Sequence, residues 1–303
     1  MIPQILNPME QIDHTFLIIF SISAFILLGI SGLSIYFLFR YHHTRNPDPD
    51  PIEGNLLLEF VWTIIPVILV SGMFVSGWTG FKAARTVPVG AYPIKTTARM
   101  WAWNFEYPNG KIADTLWVPQ GKPIKIILQS LDVIHSFYMP AYRIKMDALP
   151  GRETYTWFLP MKTGEFTVFC AEYCGLKHAD MSAKVVVATQ TEFDEWVNDF
   201  TTPGAVVATG PQKILFDKGC LGCHSLDGSV KAGPTFKGIF GRKTFVIKGG
   251  QEESLTADEA YLRRSILDPK AEIVKGFPDL MPPPMDISPE DLNTIINCLK
   301  SLP

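Results

Sequence analysis

Two long apolar stretches dominate the first third of the chain. They span residues 15–39 and 60–81, and neither contains Asp, Glu, Lys or Arg. A helix rises about 1.5 Å per residue, so either stretch can cross a bilayer core of about 30 Å. Pro66 lies inside the second stretch, where packing in a membrane tolerates proline. The pattern predicts a transmembrane hairpin with helices at about residues 15–39 and 60–81.

Charged residues beside these stretches predict the orientation of the hairpin. Glu10 and Asp13 precede the first stretch, whereas Arg40 and Arg45 follow it. Basic residues favour the cytoplasmic side, which places the connecting loop there and the rest of the chain outside. A cleaved signal peptide would account for the first stretch only, and no basic segment precedes it.

Beyond about residue 91 the pattern changes to short β-rich runs separated by Gly and Pro. Examples are residues 124–128, 154–158, 166–170 and 184–187. Several short strands with regular turns predict an all-β sandwich or barrel. A helical segment at residues 191–200 ends this region.

The last third of the chain has a helical character. A small-residue linker at residues 201–211 precedes it. Near the C-terminus, Ser288 followed by Pro289 is typical of a helix start. The predicted organisation is a membrane protein with a hairpin segment (1–90), a β domain (91–200), the linker (201–211) and a helical domain (212–303).

Overall charge excludes one class of partner. The formal net charge is only -3 for 303 residues. Such a balance gives no support for binding nucleic acid.

The β region carries a dense set of soft metal ligands within twelve residues. They are Cys170, Glu172 through its main-chain oxygen, Cys174, His178 and Met181, preceded by His135. Sulfur with imidazole favours copper or zinc over hard cations. A single blue-copper site needs only one Cys, whereas two thiolates can bridge two copper ions with one His closing each metal. The alternative is a disulfide between Cys170 and Cys174, with His178 on the surface.

The helical region carries a different cofactor motif. Cys220, Cys223 and His224 form Cys-x-x-Cys-His, the attachment motif for c-type haem. The two thiols would form thioethers with the porphyrin, and the histidine would ligate iron. This haem is attached outside the cytoplasm, in agreement with the predicted orientation. A redox-active disulfide would leave the histidine unexplained.

The segments LDVIHSF, MDALPGR and CAEYCGLKHADM resemble subunit II of the haem–copper cytochrome c oxidases. The resemblance implies a cupredoxin-like Greek-key fold and a dinuclear copper centre, CuA. It also implies that the side chain of Glu172 reaches a magnesium ion shared with subunit I. The CuA ligands implied are His135, Cys170, Glu172 (main chain), Cys174, His178 and Met181.

Two further segments resemble the same family. Trp101 begins a stretch that resembles the family's aromatic segment, and in the family the first tryptophan of that segment is where electrons enter CuA. Ala102 departs from the aromatic residue that the family often has at this position. Core packing is the alternative role for Trp101. Glu59 matches a glutamate at the mouth of a proton pathway; a simple interfacial position is the alternative.

Residues 212–303 resemble class I cytochromes c, which implies an all-α fold. In that family the carbonyl at the Pro234 position fixes the iron-ligating histidine. Met281, directly followed by proline, matches the axial methionine, and Met285 is the rival. A His/Met pair suits electron transfer. Cys298 lies on an apolar helical face and is expected to be a buried hydrophobe.

Together the resemblances imply the electron-transfer subunit of a terminal oxidase. Electrons would pass from a donor cytochrome or a quinol-oxidising complex through haem c to CuA and then to subunit I, where dioxygen is reduced to water with proton pumping. The chain offers no candidate for a dioxygen-reducing site of its own. Other oxidase subunits and lipid are the remaining expected partners, and the expected location is the bacterial inner membrane, with both cofactor domains outside.

Three alternative functions are compatible with part of the sequence. A nitric oxide reductase with a CuA-bearing small subunit is the main one, and Glu59 favours the oxidase over it. A copper storage module is disfavoured by the hairpin and the haem motif. A quinol oxidase lacks the copper ligands altogether.

Overall fold

The computed structural model describes residues 7–48, 54–200, 206–207, 210–281 and 287–302. The chain divides into two compact units, residues 1–89 and 90–303. The predicted linker at residues 201–211 lies largely outside the described residues, so that boundary stays a prediction.

The first unit is a pair of long helices, α1 (Pro8–Arg40) and α2 (Leu56–Arg85). Their most apolar windows have mean hydropathies of 2.5 and 2.1, and the side chains there are not buried within the chain. Both helices exceed the apolar stretches because Asn side chains cap their N-termini: Asn7 accepts from the amide of Met9, and Asn55 from that of Leu58. An exposed apolar surface of this length suits lipid contact.

Polar contacts join the two helices. The hydroxyl groups of Thr15 and Ser76 lie 2.9 Å apart, and Gly80 packs beside Thr15. Small residues at a helix interface allow this close approach within a membrane.

The second unit begins with a two-sheet β-sandwich. Its strands are β1 (Tyr92–Arg99), β2 (Ala102–Glu106), β3 (Lys111–Ala113), β4 (Leu116–Pro119), β5 (Ile124–Ser130), β6 (His135–Met139), β7 (Ile144–Ala148), β8 (Thr154–Phe158), β9 (Gly164–Cys170), β10 (Ser182–Ala188) and β11 (Val206–Val207). One sheet has the order β11-β3-β2-β1-β5-β8 and the other β4-β10-β9-β6-β7. The four predicted strands coincide with β5, β8, β9 and β10.

Alternation of buried and exposed residues explains how the two sheets pack. In β5, Ile124, Ile126 and Leu128 are fully buried, whereas the residues between them are more exposed. One face of each sheet therefore points inward, where Trp103 and Phe137 pack edge to face with ring centroids 5.6 Å apart. This core confirms the expected all-β, cupredoxin-like domain.

Helix α3 (Gln190–Asn198) closes the sandwich. Thr189 and Glu192 form a capping box at its start. At its other end the buried amine of Lys111 donates to the carbonyls of Trp196 and, at 2.7 Å, Asp199. The lysine amine thus adds a donor at the C-terminus of the helix, where intrahelical donors run out.

The C-terminal part contains α4 (Lys213–Asp217), α5 (Glu259–Leu267) and α6 (Pro289–Ser301). Ser288 caps α6 as predicted. The buried face of α6 packs against α4 and α5 residues in a separate apolar core.

This part also contains a small sheet, so the expected all-α fold of residues 212–303 is wrong in this respect. Strands β12 (Lys243–Lys248) and β13 (Gln251–Thr256) form a hairpin, and β14 (Ile273–Val274) pairs with β12. Gly249 and Gly250, both at positive φ, make the two-residue turn. Adjacent positive φ values require glycine-like freedom and match the twist of a hairpin.

Candidate metal and haem sites

Sheet pairing brings the candidate copper ligands together. Strand β6 carries His135 and lies beside β9, which ends at Cys170; Phe137 is the register partner of Cys170. The segment after Cys170 then folds back, because the amide of Cys170 donates to the carbonyl of Met181 at 3.0 Å. This closed loop returns Cys174, His178 and Met181 to the end of the sheet.

Two thiols lie at the centre of this site. The Sγ atoms of Cys170 and Cys174 are 3.7 Å apart, and both cysteines are free. The alternative of a disulfide between them is therefore absent from the structure. Cys174 is 3% exposed and Cys170 is 8% exposed, so the pair is shielded from solvent.

The other four candidate ligands surround the two sulfur atoms. His135 Nδ1 lies 3.9 Å and the carbonyl oxygen of Glu172 3.1 Å from Cys170 Sγ. His178 Nδ1 lies 3.6 Å and Met181 Sδ 3.7 Å from Cys174 Sγ. Each thiol thus has one imidazole and one weaker donor beside it. This soft donor set fits two bridged copper ions.

Asp132 orients one of these imidazoles and was not identified from the sequence. Its Oδ1 accepts a hydrogen bond from His135 Nε2 at 2.8 Å, which leaves Nδ1 as the nitrogen facing Cys170. Its Oδ2 accepts from the amide of Met100 at 2.8 Å. The available signal was an acidic residue three positions before His135. Carboxylates that fix a ligand imidazole in this way are common around metals.

The environment shifts the pKa values of the two thiols in opposite directions. Burial raises the pKa of Cys170, but hydrogen bonding with His135 and with the Ser136 and Glu172 main chains outweighs it and lowers the value to about 6. Burial raises the pKa of Cys174 to about 12, with a further contribution from the negative charge on Cys170. Cys170 is therefore the first thiolate to form, and a bound cation would promote the second.

Trp101 contacts this loop directly. Its indole is half-buried, packs on the β core and donates from Nε1 to the carbonyl of Cys174 at 3.1 Å. The packing role and the proposed electron role are therefore compatible. The side chain of Glu172, assigned to magnesium by resemblance, is exposed, as is Glu59 in the first turn of α2.

The haem motif lies on a tight turn after α4. Residues Cys220–Gly222 form a 3-10 turn, preceded by Gly219 in the left-handed conformation. His224 Nδ1 lies 2.6 Å from the carbonyl of Pro234, the contact expected from the resemblance. Phe236 stacks on the imidazole with a centroid distance of 4.3 Å.

This arrangement selects one nitrogen of His224 for a metal. Burial lowers the pKa of His224, so the imidazole is neutral at physiological pH. Since Nδ1 faces a carbonyl, Nδ1 carries the proton and donates it there. The lone pair then resides on Nε2.

A cavity of about 500 Å³ adjoins the motif. Cys220, Cys223, His224 and Met281 all line it, among mainly apolar side chains. Two thiols, an imidazole and a thioether around one apolar cavity fit a covalently attached haem with a His/Met pair. Met285, the rival ligand, lies outside the described residues.

Gly233 shapes the wall of this cavity beside His224. A methyl group at Gly233 would lie 2.6 Å from His224 Cε1, closer than side-chain atoms normally approach.

The fifth cysteine, Cys298, does not line this cavity. It is buried in the helical core, as expected for a small hydrophobe.

Comparison with known families matches most of the chain. Residues 4–76 match the transmembrane domain of cytochrome c oxidase subunit II, residues 109–189 its periplasmic domain, and residues 211–303 cytochrome c.

Individual relatives agree with these matches. Cytochrome c oxidase subunit 2 of Alkalihalophilus pseudofirmus is 33% identical over 301 residues, covering 94% of this chain and 85% of the relative. An alternative cytochrome c oxidase subunit 2 of Bradyrhizobium diazoefficiens is 30% identical, covering 63% and 80%. A solved periplasmic domain of subunit II from Bradyrhizobium japonicum is 36% identical, covers 37% of this chain and 94% of that one, and has a TM-score of 0.35.

Proposed function

The chain belongs to the cytochrome c oxidase subunit II family and carries a cytochrome c domain, and on this premise we propose that it is the electron-transfer subunit of a haem–copper terminal oxidase that reduces dioxygen. The proposed electron flow runs from a donor cytochrome or quinol-oxidising complex, via the C-terminal domain, to the copper-ligand loop and on to subunit I.

One observation carries this proposal. Four donor atoms surround two buried thiols only 3.7 Å apart, and a second cofactor motif lines a cavity in the same compact unit. When bound, a copper pair and a haem c would supply reversible one-electron chemistry. The residues proposed to hold copper are His135, Cys170, Glu172 (main chain), Cys174, His178 and Met181, and those proposed to hold haem are Cys220, Cys223, His224 and Met281.

The surrounding residues hold these donors in place. Asp132 fixes the ring of His135, and Pro234 fixes that of His224. Burial excludes water from both thiols of the copper loop. Rigid donors change little between redox states, which suits rapid electron transfer.

Further roles rest on the family. Glu59 at the start of α2 is proposed to lie at the mouth of a proton pathway into subunit I, in support of proton pumping. Glu172, exposed beside the copper loop, is proposed to contact a magnesium ion shared with subunit I. The proposed location is a bacterial inner membrane, since the family's β domain is periplasmic.

The activity is tested on the intact complex purified through this chain. Oxygen and nitric oxide consumption are followed with a reduced cytochrome as donor. Fast dioxygen uptake with little nitric oxide turnover supports the oxidase. The reverse result assigns the chain to a nitric oxide reductase and removes the proposed role of Glu59.

A further inference from the structure

Glu272 is a buried carboxylate in the C-terminal part of the chain, between the end of α5 and strand β14. Its side chain is only 6% exposed, and it lines the cavity that adjoins the haem motif. A carboxylate is rarely buried to this degree unless cations or hydrogen-bond donors compensate for the lost water. The residues proposed to hold copper and haem do not include Glu272, so its burial needs a separate explanation.

Two cations from different elements contact this carboxylate. Oε1 accepts a hydrogen bond from Lys248 Nζ of β12 at 3.1 Å, and Oε2 accepts one from Arg264 Nη2 of α5 at 3.3 Å. Both cations are half exposed, so they reach the buried carboxylate from the solvent side. These three residues, named the Glu272 cluster below, join the β12–β13 hairpin to α5.

The register of the small sheet explains the contact with Lys248. In the antiparallel pairing of β12 with β14, Ile247 lies opposite Ile273. The same register, continued by one residue, places Lys248 opposite Glu272 just before β14 begins. Opposite charges that face each other across neighbouring strands stabilise the pairing. The Glu272 cluster therefore fixes the point at which the chain enters the sheet.

The segment that leaves β14 carries the proposed axial ligand. The amide of Phe277 donates to the carbonyl of Val274 at 3.1 Å, which turns the chain directly after the strand. Phe277 and Met281 then line the cavity. A further ion pair joins Lys275 to Glu252 of β13, with Nζ and Oε2 2.6 Å apart. Ion pairs with the hairpin thus hold the chain on both sides of β14, and the held segment leads to the methionine.

We propose that Glu272 is a positioning residue, which together with Lys248 and Arg264 fixes the start of the segment that presents Met281 to the haem iron. This inference rests on the proposed function, and specifically on ligation by Met281. Contacts that support a ligand from behind hold it in place around a metal. When the Glu272 cluster is broken, the segment moves more freely, and a competing ligand displaces the thioether more readily.

The test measures how readily imidazole displaces the thioether in the purified full chain with its haem attached. Imidazole binds a ferric haem of this type only when the methionine leaves the iron, so its apparent affinity reports the fraction of open segment. The test substitution is Glu272→Gln, which keeps the shape of the side chain and removes its charge. The matched control is Glu253→Gln, at an exposed position of β13.

We expect imidazole to bind about fivefold more tightly to Glu272→Gln than to the wild type, because the hydrogen bonds from both cations are weakened, although the cations are partly exposed. Glu253→Gln should match the wild type. Thermal unfolding is measured in parallel, and the titration is made well below the unfolding transition. General loss of stability then does not contribute to the result.

Lys248→Gln separates positioning from a purely electrostatic effect on the iron. It breaks the same ion pair but removes a positive charge, whereas Glu272→Gln removes a negative one. A looser segment raises the imidazole affinity in both variants, by about twofold for the half-exposed lysine. Shifts in opposite directions would show an electrostatic effect and overturn the proposal. Lys248→Arg retains the ion pair and should behave as the wild type.

The remaining outcomes separate this inference from the proposed function. Lys248→Gln still tests the cluster if Glu272→Gln fails to take up haem. A wild type with a His/Met spectrum, and unchanged imidazole affinity in both charge-removing variants, would contradict the positioning role and leave the proposed function intact. A wild type without covalently attached haem, or without ligation by Met281, would instead refute the proposed haem site.

Discussion

The indole Nε1 of Trp101 donates a hydrogen bond to the main-chain oxygen of Cys174 at 3.1 Å. Gly175 packs against the same ring, where an added methyl group would lie 3.2 Å from Cζ2. The indole is thus attached to the backbone that carries a candidate bridging thiol. This contact couples the outer segment of the β domain to the copper-ligand loop.

Trp101→Phe should slow electron transfer into the copper site without removing copper. A smaller aromatic ring remains, but the indole N–H and its hydrogen bond are lost. One such bond is worth about 1 kcal/mol, which on a barrier corresponds to about fivefold in rate. The measurement is copper reduction after rapid reduction of haem, with copper resonance as the check on occupancy. A rate equal to wild type would show that Trp101 only packs.

Met181→Leu should alter the copper centre without emptying it. The side chain is 1% exposed and its sulfur lies 3.7 Å from Cys174 Sγ. The volume is conserved, so the loss of stability should be below about 1.5 kcal/mol. Loss of the proposed thioether ligand should change the copper resonance and the reduction potential. Met161→Leu, at a 51% exposed position, is the matched control and should change neither.

Met281→Leu should abolish the low-spin His/Met spectrum of the haem while leaving the haem covalently attached. Met281 lines the cavity, and its thioether is the proposed partner of His224 across the iron. Absorption spectra of the reduced and oxidised protein provide the measurement. Met285→Leu is the control. Should Met285→Leu alone remove the low-spin spectrum, the axial assignment would be wrong.

Gly233→Ala should impair haem incorporation. The new methyl group would lie 2.6 Å from His224 Cε1, so the ring must move away from its bond to Pro234. We expect at least a severalfold drop in haem content per chain. Gly222→Ala changes a glycine of the same motif, where the methyl group meets only ordinary contacts. This control should retain its haem, and equal haem loss in both variants would contradict the explanation.

Lys111→Met should destabilise the β domain. Its amine bonds two carbonyls at the end of α3 and lies 3.9 Å from the centre of the Trp196 ring. Methionine preserves much of the packing but removes both hydrogen bonds from the charged amine, at a cost of about 1–3 kcal/mol. Thermal unfolding measures the change. Lys125→Met, at a half-buried position of β5, is the comparison and should lower the free energy of unfolding by less.

Much of the architecture follows from the sequence alone. Uncharged apolar stretches predicted both membrane-length helices, and the capping residues Ser288 and Pro289 predicted the start of α6. Strand β8 coincides with its predicted range at residues 154–158. These features depend on neighbouring residues only, namely on hydrophobic period and on local capping bonds, so they can be predicted from the sequence.

The hairpin of β12 and β13 is also encoded locally, although the resemblance to all-α cytochromes does not predict it. Its alternating residues and the Gly249–Gly250 turn are a strand signal.

Only the tertiary structure decided how the sites are assembled. The sequence identified His135 and Cys170 as candidate ligands, but the pairing of β6 with β9 places them side by side. The bond from Asp132 to His135 and the packing of Gly222 on Ala102 likewise depend on how distant segments meet. Sheet register and domain packing are set by the summed burial of many side chains, and that sum has no signature at any single position along the chain.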